Sequence, residues 1–182
     1  MDDKSLAEAC VNGDYRAQKN LYQLYAPQMM GICMRYSADI ADAEDILQEG
    51  FIKVYEHMSS FSGTGALGGW IRRIMINTAL QRYRENKNIQ LVRLDDSALH
   101  LQEVGDDVLS SMHANELMMK IQRLPVGFRT VFNLYAIEGY KHHEIAELLG
   151  ISEGTSKSQY SRSRALLRVM IENENKIGER AI

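Results

Sequence analysis

Three groups of residues in this chain have side chains that can do chemistry. The first is His142-His143-Glu144, which resembles the start of a zinc-protease HExxH motif. That motif needs a second His one helical turn on, so that two imidazoles grip one metal while the Glu acts as base. Counting from His143, the fifth residue is Glu147, so the second ligand is missing and no metal site is expected. The second group is Cys10 and Cys33, which stand apart with no CxxC pair and read as free buried thiols. No nucleophile–base pair and no phosphate loop is present, so no catalytic residue, no cofactor and no enzyme activity is expected.

The third group is different. Lys157, Ser158, Ser161, Arg162 and Ala165 recur at one-residue and three-to-four-residue spacing. On a helix they share one strip. Such a strip suits the major groove: Arg can bond a guanine edge bidentately, Ser is a short versatile contact, and Lys usually holds phosphate. The residues before it can build the support. Ile145, Leu148, Leu149 and Ile151 offer an apolar core, and Ala146 is small enough for a helix crossing. Gly150 tolerates the positive φ of a tight turn, and Ser152 can cap the next helix. Residues 142–162 therefore read as a helix-turn-helix, with a second helix over about 153–172 whose apolar side is Tyr160, Leu166, Leu167 and Met170. Ser156 occupies a position that is normally apolar in this motif. Its hydroxyl needs a partner, expected to be a backbone carbonyl one turn back. An ordinary helical hairpin would also accommodate these residues.

The rest of the chain must position that strip or add to it. Hydrophobic content of 45% with only two prolines fits packed helices rather than disorder. Residues 5–27 read as one or two helices with Leu6, Ala9, Cys10, Ala17, Leu21, Leu24 and Tyr25 inward, and residues 28–37 continue with Met30, Cys33 and Met34. Residues 40–58 give the clearest amphipathic helix, with Leu47, Phe51, Val54, Tyr55 and Met58 on one face and Asp45, Gln48, Glu49 and Glu56 opposite. SSFSGTGALGG (59–69) reads as a loop, and a new helix starts near Trp70. There Ile71, Ile74, Met75 and Thr78 face a core, while Arg73, Asn77, Gln81 and Arg84 share the other side. Residues 91–112 lose this periodicity and are acidic, through Asp95, Asp96, Glu103, Asp106 and Asp107, and read as a linker. Residues 113–123 resume as a helix that stops at Leu124-Pro125, and a further helix ends around Gly139.

Charge follows the same division. Residues 91–117 carry one Lys/Arg against six Asp/Glu, and residues 118–168 carry eight against four. A basic C-terminal part behind an acidic connector suits a nucleic-acid binder better than the net charge of −3 does. The N-terminus MDDKSLAEAC has neither the basic start nor the apolar core of a signal peptide, and no apolar run approaches a membrane span. A cytoplasmic location without membrane insertion is expected.

Taken together, three segments in order resemble the extracytoplasmic-function sigma factors, the smallest members of the sigma-70 family of bacterial RNA polymerase. DAEDILQEGFIKVY (42–55) resembles region 2.2, FSGTGALGGWIRRIMINTALQRYR (61–84) resembles regions 2.3 and 2.4, and residues 124–168 resemble region 4. The resemblance implies an all-α fold of two small helical domains: a region 2 helical bundle over 1–90 and a region 4 helix-turn-helix (a winged-helix-like class of domain) over 113–175. A flexible acidic linker (91–112) joins them, and a tail follows (176–182).

The resemblance also implies roles. It makes the chain a factor that directs core polymerase to promoters by binding −10 and −35 elements and assisting melting. Asp45, Gln48 and Glu49 match positions that dock on the β′ clamp helices, and the β flap is a further implied contact. Phe61 opens the loop that matches the site capturing a flipped −10 base. Trp70 matches the first of two melting aromatics, although a core role would also suit it, and the second position is Ile71, which implies weaker melting. Asn77 matches a −10 base contact, with Arg73, Arg82 and Arg84 as phosphate contacts. Lys157, Ser158, Ser161 and Arg162 match −35 readers, while Ser156 and Gln159 depart from the family pattern. The linker matches a segment threading the polymerase cleft, and an anti-sigma factor is an implied partner. The residues alone leave open a stand-alone transcription regulator, which would bind duplex DNA without polymerase.

Overall fold

The computed structural model describes residues 2–90 and 114–180. The expected acidic linker, with Asp95, Asp96, Glu103, Asp106 and Asp107, lies outside the described residues. All regular structure among those described is helical, and the chain divides into two units, Met1–Tyr83 and Arg84–Ile182.

The first unit begins with α1 (Asp3–Val11), α2 (Tyr15–Tyr36) and α3 (Ile40–His57). Each starts where an aspartate can accept orphan backbone N–H groups. Asp2 accepts from the Ser5 N–H, Asp14 from Arg16 and Ala17, and Asp39 from Asp42, at 2.7–3.3 Å. Gly13, at φ +77°, makes the turn between α1 and α2, so the stretch over 5–27 is two helices. α2 then runs unbroken through Pro27 to Tyr36. Its inward stripe is Leu21, Met29, Ile32 and Tyr36. Leu24, expected inward, falls off that stripe and is 59% exposed.

α3 buries Leu47, Phe51 and Val54, as its amphipathic pattern predicts, and Ile46 joins them. A short 3-10 turn (Met58–Ser60) ends it, and α4 (Leu67–Gln90) follows after a loop. The helix starts at Leu67, three residues earlier than Trp70, because Leu67 is fully buried and its N–H finds an acceptor on α1. Ile71, Met75 and Thr78 are buried as expected, and Ile76, Ala79 and Leu80 join them. α3 and α4 meet at Gly50, where a Cβ would lie 2.3 Å from the Met75 Sδ.

The second unit contains α5 (Ala114–Gln122), α6 (Val126–Phe132), α7 (His142–Leu149) and α8 (Glu153–Arg180). α5 stops before Leu124-Pro125, where the proline restricts the residue before it. Ile121, Leu124, Phe132 and Leu167 form the core, with Leu117, Phe128, Tyr160, Leu166 and Met170 packed against it. The expected helix up to Gly139 is α-helical only to Phe132. Asn133–Ile137 form a wider π turn, in which Glu138 donates its N–H to the Asn133 carbonyl at 2.9 Å. Gly139, at φ +79°, then ends the helical run.

Candidate nucleic-acid interface

Three surfaces carry the singled-out residues: the outer faces of α3, α4 and α8. On α4, Arg73, Asn77, Gln81 and Arg84 are all exposed, while Ile71, Met75, Thr78 and Leu80 beneath them are buried. The 3.6-residue period alone produces this division. Ile71 is fully buried, so it cannot insert into DNA without unpacking the core. Trp70 is half-buried, and its ring lies 5.8 Å from that of Phe61 at 54°. This tilted pair joins the start of α4 to the loop before it.

That loop is shaped by glycine and hydroxyl groups. Gly63 (φ +72°) and Gly65 (φ +146°) have backbone conformations that disfavour a side chain. The Ser62 and Thr64 hydroxyls share a hydrogen bond of 2.7 Å across the turn. Between α1 and the loop is a recess walled by Lys4, Glu8 and Val11 on the helix and Ser59, Phe61 and Ser62 opposite.

On the acidic side of α3 the carboxylates of Asp42, Asp45 and Glu49 are engaged. Arg82 Nη2 lies 3.1 Å from Asp45 Oδ2, and Arg82 Nε lies 3.8 Å from Asp42 Oδ1. Lys53 Nζ donates to Glu49 Oε1 at 2.6 Å and to Gln81 Oε1 at 3.0 Å. Gln48 is exposed beside a groove lined by Tyr22, Ala26, Pro27, Met30 and Leu47. Two residues expected on different surfaces, Asp45 for protein docking and Arg82 for phosphate, are thus ion-paired with each other. Solvent-exposed pairs of this kind contribute under about 1 kcal/mol, so an incoming partner can exchange them.

In the second unit, Gly150 (φ +60°) ends α7 in the left-handed conformation, as the motif predicts. The Ser152 hydroxyl accepts from the Thr155 N–H at 2.9 Å and caps α8. Lys157, Ser158, Ser161 and Arg162 are all exposed, while Ser156, Ser163 and Leu167 are buried. Lys157 pairs with Glu153 at 2.7 Å, and this pair holds the Glu153 carboxyl below its usual range. The Ser158 hydroxyl donates to the Thr155 carbonyl at 3.0 Å.

Ser156 differs from expectation. Its hydroxyl, fully buried, meets the His142 Nδ1 at 2.9 Å rather than a carbonyl one turn back. His142 opens α7, as expected, so this bond ties the two helices of the motif at a position usually held by aliphatic contact. The imidazole stacks on Tyr135 of the π turn at 4.3 Å and 12°, and Tyr135 lies 4.4 Å from Tyr160 of α8. Burial, then the nearby Lys157 charge, lowers the His142 pKa below its usual value, with Glu153 opposing. Sequence reasoning missed this tie because it spans 14 residues between two elements. The Asp42 pair with Arg82 was missed for the same reason. The one signal was the departure itself, a Ser where an apolar residue is normal. Among the described residues, no group of three or more His, Cys, Asp or Glu is placed to hold a metal ion. None of the described helices is long and apolar enough to cross a membrane.

The sequence matches the family models for sigma-70 region 2 over residues 21–89 and sigma-70 region 4 over residues 114–167. Similar proteins include the ECF RNA polymerase sigma-E factor of Haemophilus influenzae, 31% identical over 97% of this chain and 96% of that protein. The ECF RNA polymerase sigma factor SigW of Bacillus subtilis is 31% identical over 86% of this chain and 89% of that protein. A solved structure of the sigma factor RpoE in complex with the anti-sigma factor NepR from Bartonella quintana is 22% identical, covering 85% of this chain and 96% of that chain with a TM-score of 0.49.

Proposed function

The chain belongs to the extracytoplasmic-function RNA polymerase sigma factors of the sigma-70 family, and on that premise we propose how its surfaces divide the work of promoter recognition. It directs core polymerase to specific promoters by binding −10 and −35 elements, and it does no covalent chemistry itself. The α3 face with Asp45, Gln48 and Glu49 docks on the β′ clamp helices, exchanging the Arg82 and Lys53 pairs for polymerase contacts. The row Arg73, Asn77 and Arg84 on α4 lies along −10 DNA, where the arginines neutralise phosphate and Asn77 reaches a base edge. Trp70, at the head of that row, wedges open the duplex, and the loop that begins at Phe61 holds the freed base. On α8, Lys157, Ser158, Ser161 and Arg162 enter the major groove of the −35 element, and the second unit also meets the β flap. The factor acts in the cytoplasm, where an anti-sigma factor holds it inactive until released.

The observation that carries this reading is the division of α8. Its four candidate contacts are exposed along one strip, and Ser156, Ser163 and Leu167 on the other side of the helix are buried. The deciding experiment is run-off transcription with core polymerase on a library of genomic fragments. Initiation from fragments sharing −10 and −35 elements, lost when Asp45, Gln48 and Glu49 are replaced by Ala, is expected. Tight duplex binding without polymerase, indifferent to those three substitutions, would instead mark a stand-alone regulator.

A further inference from the structure

The helix that carries Trp70 begins poorly by its own local sequence. Ala66 precedes it and has no side-chain acceptor for the orphan N–H groups of the first turn. Gly68 and Gly69 then occupy that turn, and glycine is among the weakest helix formers. Left to these residues, the helix would start near Trp70. It starts at Leu67 instead, because Asp3 of α1 supplies the missing acceptor from 64 positions away. The Asp3 Oδ2 accepts the Leu67 N–H at 2.8 Å, and its Oδ1 accepts the Tyr25 hydroxyl at 3.1 Å. The negative charge also lies at the positive end of the α4 dipole. The Tyr25 ring closes over Gly68, where a Cβ would lie 3.0 Å from Cε1. α1 lies outside the residues that match sigma-70 region 2.

We propose that Asp3 is a positioning residue for strand opening: it caps α4 from another helix and so fixes Trp70 within the first helical turn, against Phe61. Without that cap the Gly68-Gly69 turn unwinds and Trp70 loses its place beside the loop. This inference rests on the promoter-opening role proposed above.

The test compares the full chain with Asp3→Ala, Asp3→Asn and Tyr25→Phe, each with core polymerase. Two templates are used: a duplex promoter, and the same promoter with its −10 region premelted by mismatches. For Asp3→Ala, open-complex yield on the duplex should fall about tenfold, the scale of one lost charge-assisted hydrogen bond. On the premelted template it should stay within about twofold of the unsubstituted chain, with core affinity unchanged. Asp3→Asn keeps an acceptor oxygen and should be intermediate, whereas Tyr25→Phe leaves the cap in place and should stay close to the original. Trp70 is the only tryptophan, so its emission reports directly. It should shift to the red in Asp3→Ala, with faster hydrogen exchange at Leu67–Trp70 and unchanged exchange in α3. Equal losses on both templates, or unchanged opening of the duplex, would overturn the proposal. If the unsubstituted chain gives no promoter-dependent initiation, the sigma-factor reading fails, while the exchange and emission results still decide whether Asp3 caps α4.

Discussion

Gly50→Ala sets two well-measured effects against each other. In a solvent-facing helix this change stabilises by about 1 kcal/mol, since alanine loses less backbone freedom. Here the new Cβ would lie 2.3 Å from Met75 Sδ and 3.0 Å from Cε. Ordinary carbon contacts sit near 3.5–4.0 Å, so the two helices or the Met75 side chain must retreat by more than about 1 Å. Met75 is fully buried and has little room to move. Overpacking of this kind costs roughly 1–3 kcal/mol, which outweighs the helix gain and leaves a net loss of about 1 kcal/mol. The signature is a sign reversal. In a Met75→Ala background the same Gly50→Ala change should stabilise by about 1 kcal/mol, although Met75→Ala alone costs roughly 2–5 kcal/mol. Urea unfolding followed by Trp70 emission reads the first unit directly. Stabilisation by Gly50→Ala with Met75 intact would refute the close approach of α3 and α4.

Further outcomes follow from the remaining geometry. Arg82 also faces Asp42, which lies outside the docking residues and still holds it to α3 when Asp45 turns to the polymerase, so Arg82→Ala should barely change the salt dependence of promoter binding by the holoenzyme. Arg84→Ala, at an exposed position, should reduce that slope by about one if it meets a phosphate. Burial pushes the Cys33 thiol up to about 12 and also raises Cys10, so neither should react with a thiol reagent at pH 8 until the chain is denatured. The folded-state pKa of His142 lies below the ordinary histidine value of 6.5, so the unfolded chain takes up more protons as the pH falls. The stabilisation from neutral His142 is therefore complete above pH 6.5 and is lost on acidification below it. Hydrogen exchange of the α7 and α8 amides should accelerate there, and His142→Asn should flatten that dependence. Ser156→Ala removes the buried partner of His142 and should cost about 1 kcal/mol in the second unit. A rise in stability would show that the hydroxyl tie is dispensable.

Periodicity and local stereochemistry were sufficient for much of this protein. The amphipathic pattern of residues 40–58 placed Phe51 and Val54 inside and Asp45 and Gln48 outside, because a helix repeats every 3.6 residues whatever it packs against. The same rule put Arg73, Asn77, Gln81 and Arg84 on one exposed row. Gly150 and Ser152 revealed the turn and the cap of the helix-turn-helix, since each acts on backbone a few residues away. What the sequence could not supply were partners between elements. The start of α4 depends on an aspartate 64 residues earlier. The partner of Ser156 is a histidine on the preceding helix, and Arg82 turns toward α3 rather than outward. Leu24 is exposed because the packing of α2 chose a stripe that its spacing alone left open. Sequence by itself thus determined which residues share a helix face, because that is a property of one helix. Only the tertiary structure decided which face meets which, where α4 begins and which charges are already engaged, because those depend on side chains brought together from distant parts of the chain.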